Sequence, residues 1–90
     1  MAYDDIIKQM FKEIAIAVKL DYKETLILRQ SKIYELSNNK FNFSFSVMID
    51  PRNGNVVIIS RSFKLGNYKK EDLMNTAKRE IIAKIKEKMK

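Results

Sequence analysis

The sequence predicts an α+β domain of two layers, in which both helices pack on one face of a three-stranded antiparallel sheet. Two segments near the ends of the chain carry apolar residues at helical spacing. Between them, FNFSFSVMID (41–50) alternates apolar and polar residues, as a strand with one buried face does. The turn sequence DPRNGN (50–55) then joins two strand-like segments. The predicted order is therefore α-β-β-β-α.

The first helix is predicted over residues 4–20. Its apolar residues recur three and four positions apart, and Asp4 and Asp5 supply the acidic start that a helix N-terminus favours. The segment DYKET, after Leu20, breaks the helical pattern. We therefore expect the helix to end near Leu20.

Three strands are predicted, over residues 25–36, 41–50 and 55–65. The first is rich in β-branched and aromatic residues, and SNNK then provides a short turn with Ser37 opposite Lys40. In the second turn, Pro51 presets φ and Gly54 can adopt the left-handed conformation, which predicts a hairpin with a four-residue loop.

The last helix is predicted over residues 68–88. Glu71 and Asp72 lie in its first turn, where acids are favourable. Its predicted buried side chains are Leu73, Met74, Ala77, Ile81, Ile82 and Ile85. Its predicted outer ridge is Asn75, Arg79, Lys86 and Lys90.

Pairing Asp50 with Asn55 assigns the two faces of the sheet. The odd-numbered residues of 41–50 then point to the helices and the even-numbered ones point away. The predicted outer face joins Arg29 and Arg61 to an apolar set, namely Ile33, Met48, Val57, Ile59 and Phe63. Such a face suits a solvated sheet, a homodimer interface or a nucleic-acid platform.

Composition limits the function. A chain of 90 residues forms a single domain, and 46% hydrophobic residues exclude a disordered chain. With no cysteine and no histidine, disulfides, thiolate or imidazole metal sites and histidine catalysis are excluded. The acidic pairs at the helix starts are interpreted as helix caps rather than Mg²⁺ ligands. We therefore predict no cofactor, no metal ion and no enzymatic activity.

The longest apolar run, residues 14–18, is too short to span a bilayer, and the acids near the start argue against a secretory signal. We expect a cytoplasmic protein with no membrane partner. From Lys64 onward, nine basic residues face four acidic ones, so this third holds +5 of the net charge of +7. This asymmetry favours an anionic partner such as nucleic acid, and the alternative is a solvated lysine-rich helix.

The segment GNYKKEDLMNTA (66–77) follows the predicted hairpin and opens the last helix. Together with the α-β-β-β-α order, it resembles the double-stranded RNA-binding domain. In that family, paired lysines at the start of the last helix contact phosphates across the major groove, a role that the resemblance implies for Lys69 and Lys70. The family's third motif lysine falls at Leu73, and its histidine after the first strand has no counterpart in this sequence.

The functional prediction is a small nucleic-acid-binding module that contacts phosphates of RNA or DNA. Its predicted contacts on the last helix are Lys69, Lys70, Arg79 and Lys86, and a second set is Arg52, Arg61 and Arg29. The alternative is a protein-binding inhibitor or a homodimer that uses Met48, Val57, Ile59 and Phe63. By element order and size alone, the chain is also similar to small phage-encoded inhibitors, including anti-CRISPR proteins, which bind protein partners.

Overall fold

The computed structural model of the protein describes residues 3–26 and 31–90. The chain begins with helix α1 (Tyr3–Val18) and continues into the strands β1 (Asp21–Leu26), β2 (Lys32–Ser37), β3 (Asn42–Ile49), β4 (Val56–Ser60) and β5 (Asn67–Tyr68). It closes with a final helical segment, made of a 3₁₀ turn (Lys70–Asp72), a π-helical turn (Leu73–Ala77) and helix α2 (Lys78–Lys88). The α+β class is confirmed. The sheet has five strands, so the predicted three-stranded sheet is wrong.

The largest difference from the prediction lies between α1 and β2. In place of the single predicted strand 25–36, the structure has two antiparallel strands, β1 and β2, in which Asp21 pairs with Ser37 and Leu26 with Lys32. Helix α1 ends at Val18, close to the predicted end near Leu20, and DYKET, which was predicted only to break the helix, belongs to strand β1. The predicted order α-β-β-β-α, on which both resemblances depend, is therefore replaced by α-β-β-β-β-β-α.

The end of α1 is a Schellman motif, which directs the chain into β1. The backbone N–H of Leu20 donates to the carbonyl of Ala15 at 2.9 Å, and that of Lys19 donates to the carbonyl of Ile16 at 3.3 Å. Lys19 has a φ of 59°, the left-handed conformation that this motif requires and that usually falls to glycine. Leu20 and Ala15 are both buried, as the motif's hydrophobic contact requires.

The five strands are hydrogen-bonded in chain order, and all ladders are antiparallel. The predicted β3–β4 register is confirmed, since Ile49 pairs with Val56, and the backbone N–H of Asp50 donates to the carbonyl oxygen of Asn55 across the turn. In the β2–β3 ladder, Ser37 pairs with Asn42 rather than with Lys40. Because this shift is two residues, every side chain keeps its predicted face.

One hydrophobic core fills the space between the sheet and the helices. Phe11 of α1 is fully buried, with its ring stacked on Tyr34 at 4.8 Å and tilted against Phe45 at 5.1 Å. Side chains of the final helical segment join the same cluster, among them Ile81 and Ile85. Within residues 3–26 and 31–90, no polar or charged residue is buried. Both helices therefore pack on the face of the sheet that carries the phenylalanines of β3.

The final helical segment runs parallel to α1. The Nζ atom of Lys70 lies 5.1 Å from the ring centroid of Tyr3, and the Nζ atom of Lys78 lies 2.6 Å from Oε1 of Glu13. Each pair joins corresponding positions along the two helices, so both helices start at the end of the molecule where the β3–β4 turn lies. No helix in the described part of the chain is long and apolar enough to cross a bilayer.

Candidate nucleic-acid interface

A polar depression of about 310 Å³ lies at the shared start of the two helices. Its lining comes from α1, from the β3–β4 turn and from the start of the final helical segment. We call this surface the turn–helix end, and its residues are Tyr3, Asn53, Gly54, Asn55, Lys69, Lys70 and Glu71. The structure therefore places the two predicted phosphate contacts, Lys69 and Lys70, beside a turn that offers amide side chains.

Tyr3 holds the turn–helix end together. Its hydroxyl donates a hydrogen bond of 2.9 Å to the carbonyl oxygen of Gly54, and its ring lies under the ammonium group of Lys70. Gly54 has a φ of +74°, and a Cβ atom at this position would lie 3.1 Å from the Tyr3 hydroxyl. The predicted left-handed glycine is therefore confirmed, and glycine also leaves room for the tyrosine.

Arg52 lies in the same turn and is anchored to Asp50. The backbone N–H of Arg52 donates to Oδ1 of Asp50 at 2.9 Å, and its Nε atom lies 3.4 Å from the same oxygen. These hydrogen bonds from Arg52 hold the pKa of the Asp50 carboxyl below its ordinary value. The Arg52 side chain is 87% exposed, so its charge faces solvent beside the turn–helix end.

Arg79 and Lys86 are exposed on α2, on the layer opposite the outer face of the sheet. Seven residues separate them, which is two helical turns or about 10 Å along the axis. Arg79 lies beside Thr76, Glu80 and Ala83 in a shallow part of the surface. The helix therefore extends the positive charge of the turn–helix end, with acidic residues interspersed.

Three other lysines, Lys8, Lys32 and Lys78, form ion pairs with glutamates. Lys78 contacts Glu13 at 2.6 Å, and this hydrogen bond lowers the pKa of Glu13. Lys32 lies 3.0 Å from Glu24, and the bond between them lowers the pKa of the carboxyl and raises that of the amine. Lys8 also contacts Glu24, at 3.4 Å. These lysines stabilise the contacts between elements.

The second surface is the face of the sheet that points away from the helices. Its residues alternate with the buried ones along each ladder. We call it the outer sheet face, formed by Asp21, Lys23, Thr25, Ile33, Glu35, Ser37, Asn42, Ser44, Ser46, Met48, Val57, Ile59 and Asn67. Arg61 lines a depression of about 360 Å³ on this face, together with Ile33, Ser44, Ser46 and Ile59.

Three of the four predicted interface residues lie on the outer sheet face. Ile59 is 57% exposed, Met48 is 38% exposed and Val57 is half-buried. The fourth placement is wrong, because the ring of Phe63 packs against Phe43 at 6.2 Å and Phe45 at 5.8 Å on the core side. Strand β4 ends at Ser60, so the alternation of faces does not continue to residue 63.

The predicted basic residues therefore divide between surfaces. Lys69 and Lys70 share the turn–helix end, Arg79 and Lys86 follow along α2, and Arg61 belongs to the outer sheet face. Arg29 lies outside the described residues. The sequence did not single out Tyr3, Asn53 or Asn55 as site residues, because only the fold brings α1 to the turn.

The side chains of the turn–helix end are suited to binding an anion, without catalysing a reaction of that anion. Lysine ammonium groups and asparagine amides donate hydrogen bonds to phosphate oxygens. Within the described residues, no group of three or more acidic side chains is placed to hold a metal ion. Comparison of the chain with protein-family models, curated proteins and solved structures gives no match.

Proposed function

We propose that the protein is a non-enzymatic nucleic-acid-binding module whose main phosphate contact is the turn–helix end. The observation that carries the proposal is the convergence of Lys69 and Lys70 with Asn53 and Asn55 around one polar depression. Tyr3 holds Lys70 and the turn in place, so the donors are arranged before a ligand arrives. The net charge of +7 favours approach of a polyanion.

The residues have different roles in this proposal. Lys69 and Lys70 contact one or two adjacent phosphates, and the amides of Asn53 and Asn55 donate to their oxygens. Arg79 and Lys86 contact phosphates further along the backbone. Because these contacts reach the backbone and not base edges, binding is weakly sequence-specific.

Binding should depend strongly on salt. A protein that neutralises about four duplex phosphates loses affinity with a log–log slope of about −3.6 against salt concentration. Replacing one contacting lysine should reduce the magnitude of this slope by about one. The slope therefore counts the phosphate contacts independently of the absolute affinity.

The test measures fluorescence anisotropy of labelled duplex RNA, duplex DNA and single strands over a salt series. The variant K69E/K70E should lose most of the binding at low salt. Its control is K19E/K40E, which changes the total charge equally at two exposed positions, one after the C-terminal end of α1 and one in the β2–β3 turn, away from the turn–helix end. Equal losses in both variants would assign binding to net charge alone. No anisotropy change with any nucleic acid at low salt would refute the proposal.

A further inference from the structure

We infer that the outer sheet face is the interface of a homodimer, in which a second copy of this chain packs against it across a twofold axis. This inference goes beyond nucleic-acid binding and uses different residues. It depends on three properties of the outer sheet face: its apolar patch, its relief and its charge balance.

The apolar patch spans three neighbouring strands. Ile33 pairs with Ser46, which pairs with Ile59, so the two isoleucines flank a serine in one row across the sheet. Met48 and Val57 pair in another row on the same face. Ile59 is more than half exposed. Burial of these four side chains provides the driving force for association.

The relief of the face is self-complementary. Ser44 and Ser46 are short, and they leave the depression of about 360 Å³ between Ile33 and Ile59. The prominent side chain of Ile59 therefore stands directly beside a hollow. In a twofold arrangement the same surface meets itself, so Ile59 of each copy can enter the hollow of the other. Two sheets that pack face to face interdigitate side chains in this manner.

The charges select a second copy as the occupant. Lys23 lies opposite Glu35 in the β1–β2 ladder. Asp21 and Arg61 also lie on this face, so it carries two acidic and two basic residues. Among the residues that the structure describes, the charges of the outer sheet face therefore balance, although the chain has a net charge of +7. Two such chains repel each other at their basic surfaces and can approach where the charges balance. Both signs on one face also permit reciprocal ion pairs across a twofold axis.

The available area indicates a small interface. The five strands have between two and eight residues, and at about 4.8 Å between strands and about 3.3 Å per residue they give a plan area of about 430 Å² per copy. Two copies then bury about 900 Å² in plan, which is below the roughly 1,200 Å² of accessible surface in a stable specific interface and in the range of weak, transient complexes. We therefore expect a weak dimer with a dissociation constant of about 1–100 μM.

Sedimentation velocity over a concentration series tests the inference. The wild-type chain should change from monomer to dimer in this range, and I59D should remain monomeric. The control is I16D, which makes the same substitution at an isoleucine that is 78% exposed on α1, and which should dimerise as the wild type does. A wild-type chain that stays monomeric throughout, or an I59D variant that still dimerises, would overturn the inference.

Cross-linking provides a second measurement that does not depend on the folding of I59D. The chain has no cysteine, so S46C introduces one thiol in the hollow, and T76C introduces one on the opposite layer. A bis-maleimide cross-linker that spans about 10 Å, the separation of two packed sheets, should link two chains of S46C and few chains of T76C. Equal cross-linking of the two variants would contradict a dimer through the outer sheet face.

Discussion

The hydroxyl group of Tyr3 donates a hydrogen bond to the carbonyl oxygen of Gly54, a residue 51 positions away in the chain. This bond fixes the start of α1 to the β3–β4 turn. The same tyrosine presents its ring to Lys70, so one side chain connects the first helix, the central hairpin and the final helical segment. Because the hydroxyl and the ring of Tyr3 make different contacts, substitutions at this residue can test stability and ligand binding separately.

The variant Y3F removes the hydroxyl and keeps the ring. Loss of one part-buried hydrogen bond should lower the free energy of unfolding by about 1 kcal/mol, measured by urea denaturation. Nucleic-acid affinity should fall less than in Y3A, because only the bond to the turn is lost and the contact with Lys70 is retained. The variant Y3A removes both the hydrogen bond to Gly54 and the ring contact with Lys70, so it should lower both the free energy of unfolding and the nucleic-acid affinity. Equal affinities of Y3F and Y3A would show that the ring does not position Lys70.

The variant G54A should destabilise the protein by about 1–2 kcal/mol, because an L-residue in the left-handed conformation is strained. The added Cβ would also press on the Tyr3 hydroxyl at 3.1 Å. The matched control is G66A. Gly66 is exposed, and a Cβ atom there meets no atom within 4 Å. Urea midpoints that fall equally in the two variants would contradict the proposed strain.

The variant K19G should stabilise the protein by about 1 kcal/mol. Lys19 has the left-handed φ of the Schellman motif, which a glycine adopts without a steric penalty. A glycine at the exposed residue Lys12, in the middle of α1, should instead destabilise by about 1 kcal/mol. Thermal unfolding of both variants checks the prediction, and a lower midpoint for K19G would refute it.

Acid should weaken the contact between the two helices. The hydrogen bond from Lys78 lowers the pKa of Glu13, so the folded state favours the carboxylate. The resulting stabilisation is complete above the ordinary pKa of 4.5 and is lost as the pH falls through the lower pKa of the folded state. As the pH falls from 6 into the acid range, the free energy of unfolding of E13Q should decrease less than that of the wild type. Urea denaturation at each pH measures this difference. Parallel pH profiles for wild type and E13Q would contradict the assignment.

The variant F45A should destabilise the protein by about 3–5 kcal/mol, since Phe45 is fully buried and its ring contacts Phe11. The same substitution at Phe41, which is only partly buried before β3, should cost clearly less. Urea denaturation with equal losses would contradict the assigned burial of the two rings.

The parts of the fold that were predicted correctly have strong local signals. The phenylalanines of β3 are spaced two apart, and Pro51 with Gly54 defines the turn, so the core face and the β3–β4 register follow from the sequence. The β1–β2 hairpin lacks such a signal. A lysine, rather than a glycine, ends α1, and the polar segment DYKET forms a strand because its neighbour β2 supplies the hydrogen bonds.

The candidate site was predicted in part, for a similar reason. Lys69 and Lys70 stand out as a basic pair in the sequence, whereas Tyr3 has no local mark and reaches the site through the parallel packing of the helices. Phe63 shows the opposite error. Its apolar side chain fitted an extended strand, but β4 stops at Ser60 and the chain turns that ring towards Phe45.

The chain order of the strands also affects how the protein forms during synthesis. Each strand pairs with the next one made, so the sheet can assemble through short hairpin closures. The contact between α1 and the final helical segment forms later, because Lys78 is synthesised 65 residues after its partner Glu13. The final helix therefore cannot cover the apolar side of α1 until almost the whole described chain has been synthesised. Before that point, the sheet is the part of the described chain that can bury these apolar side chains.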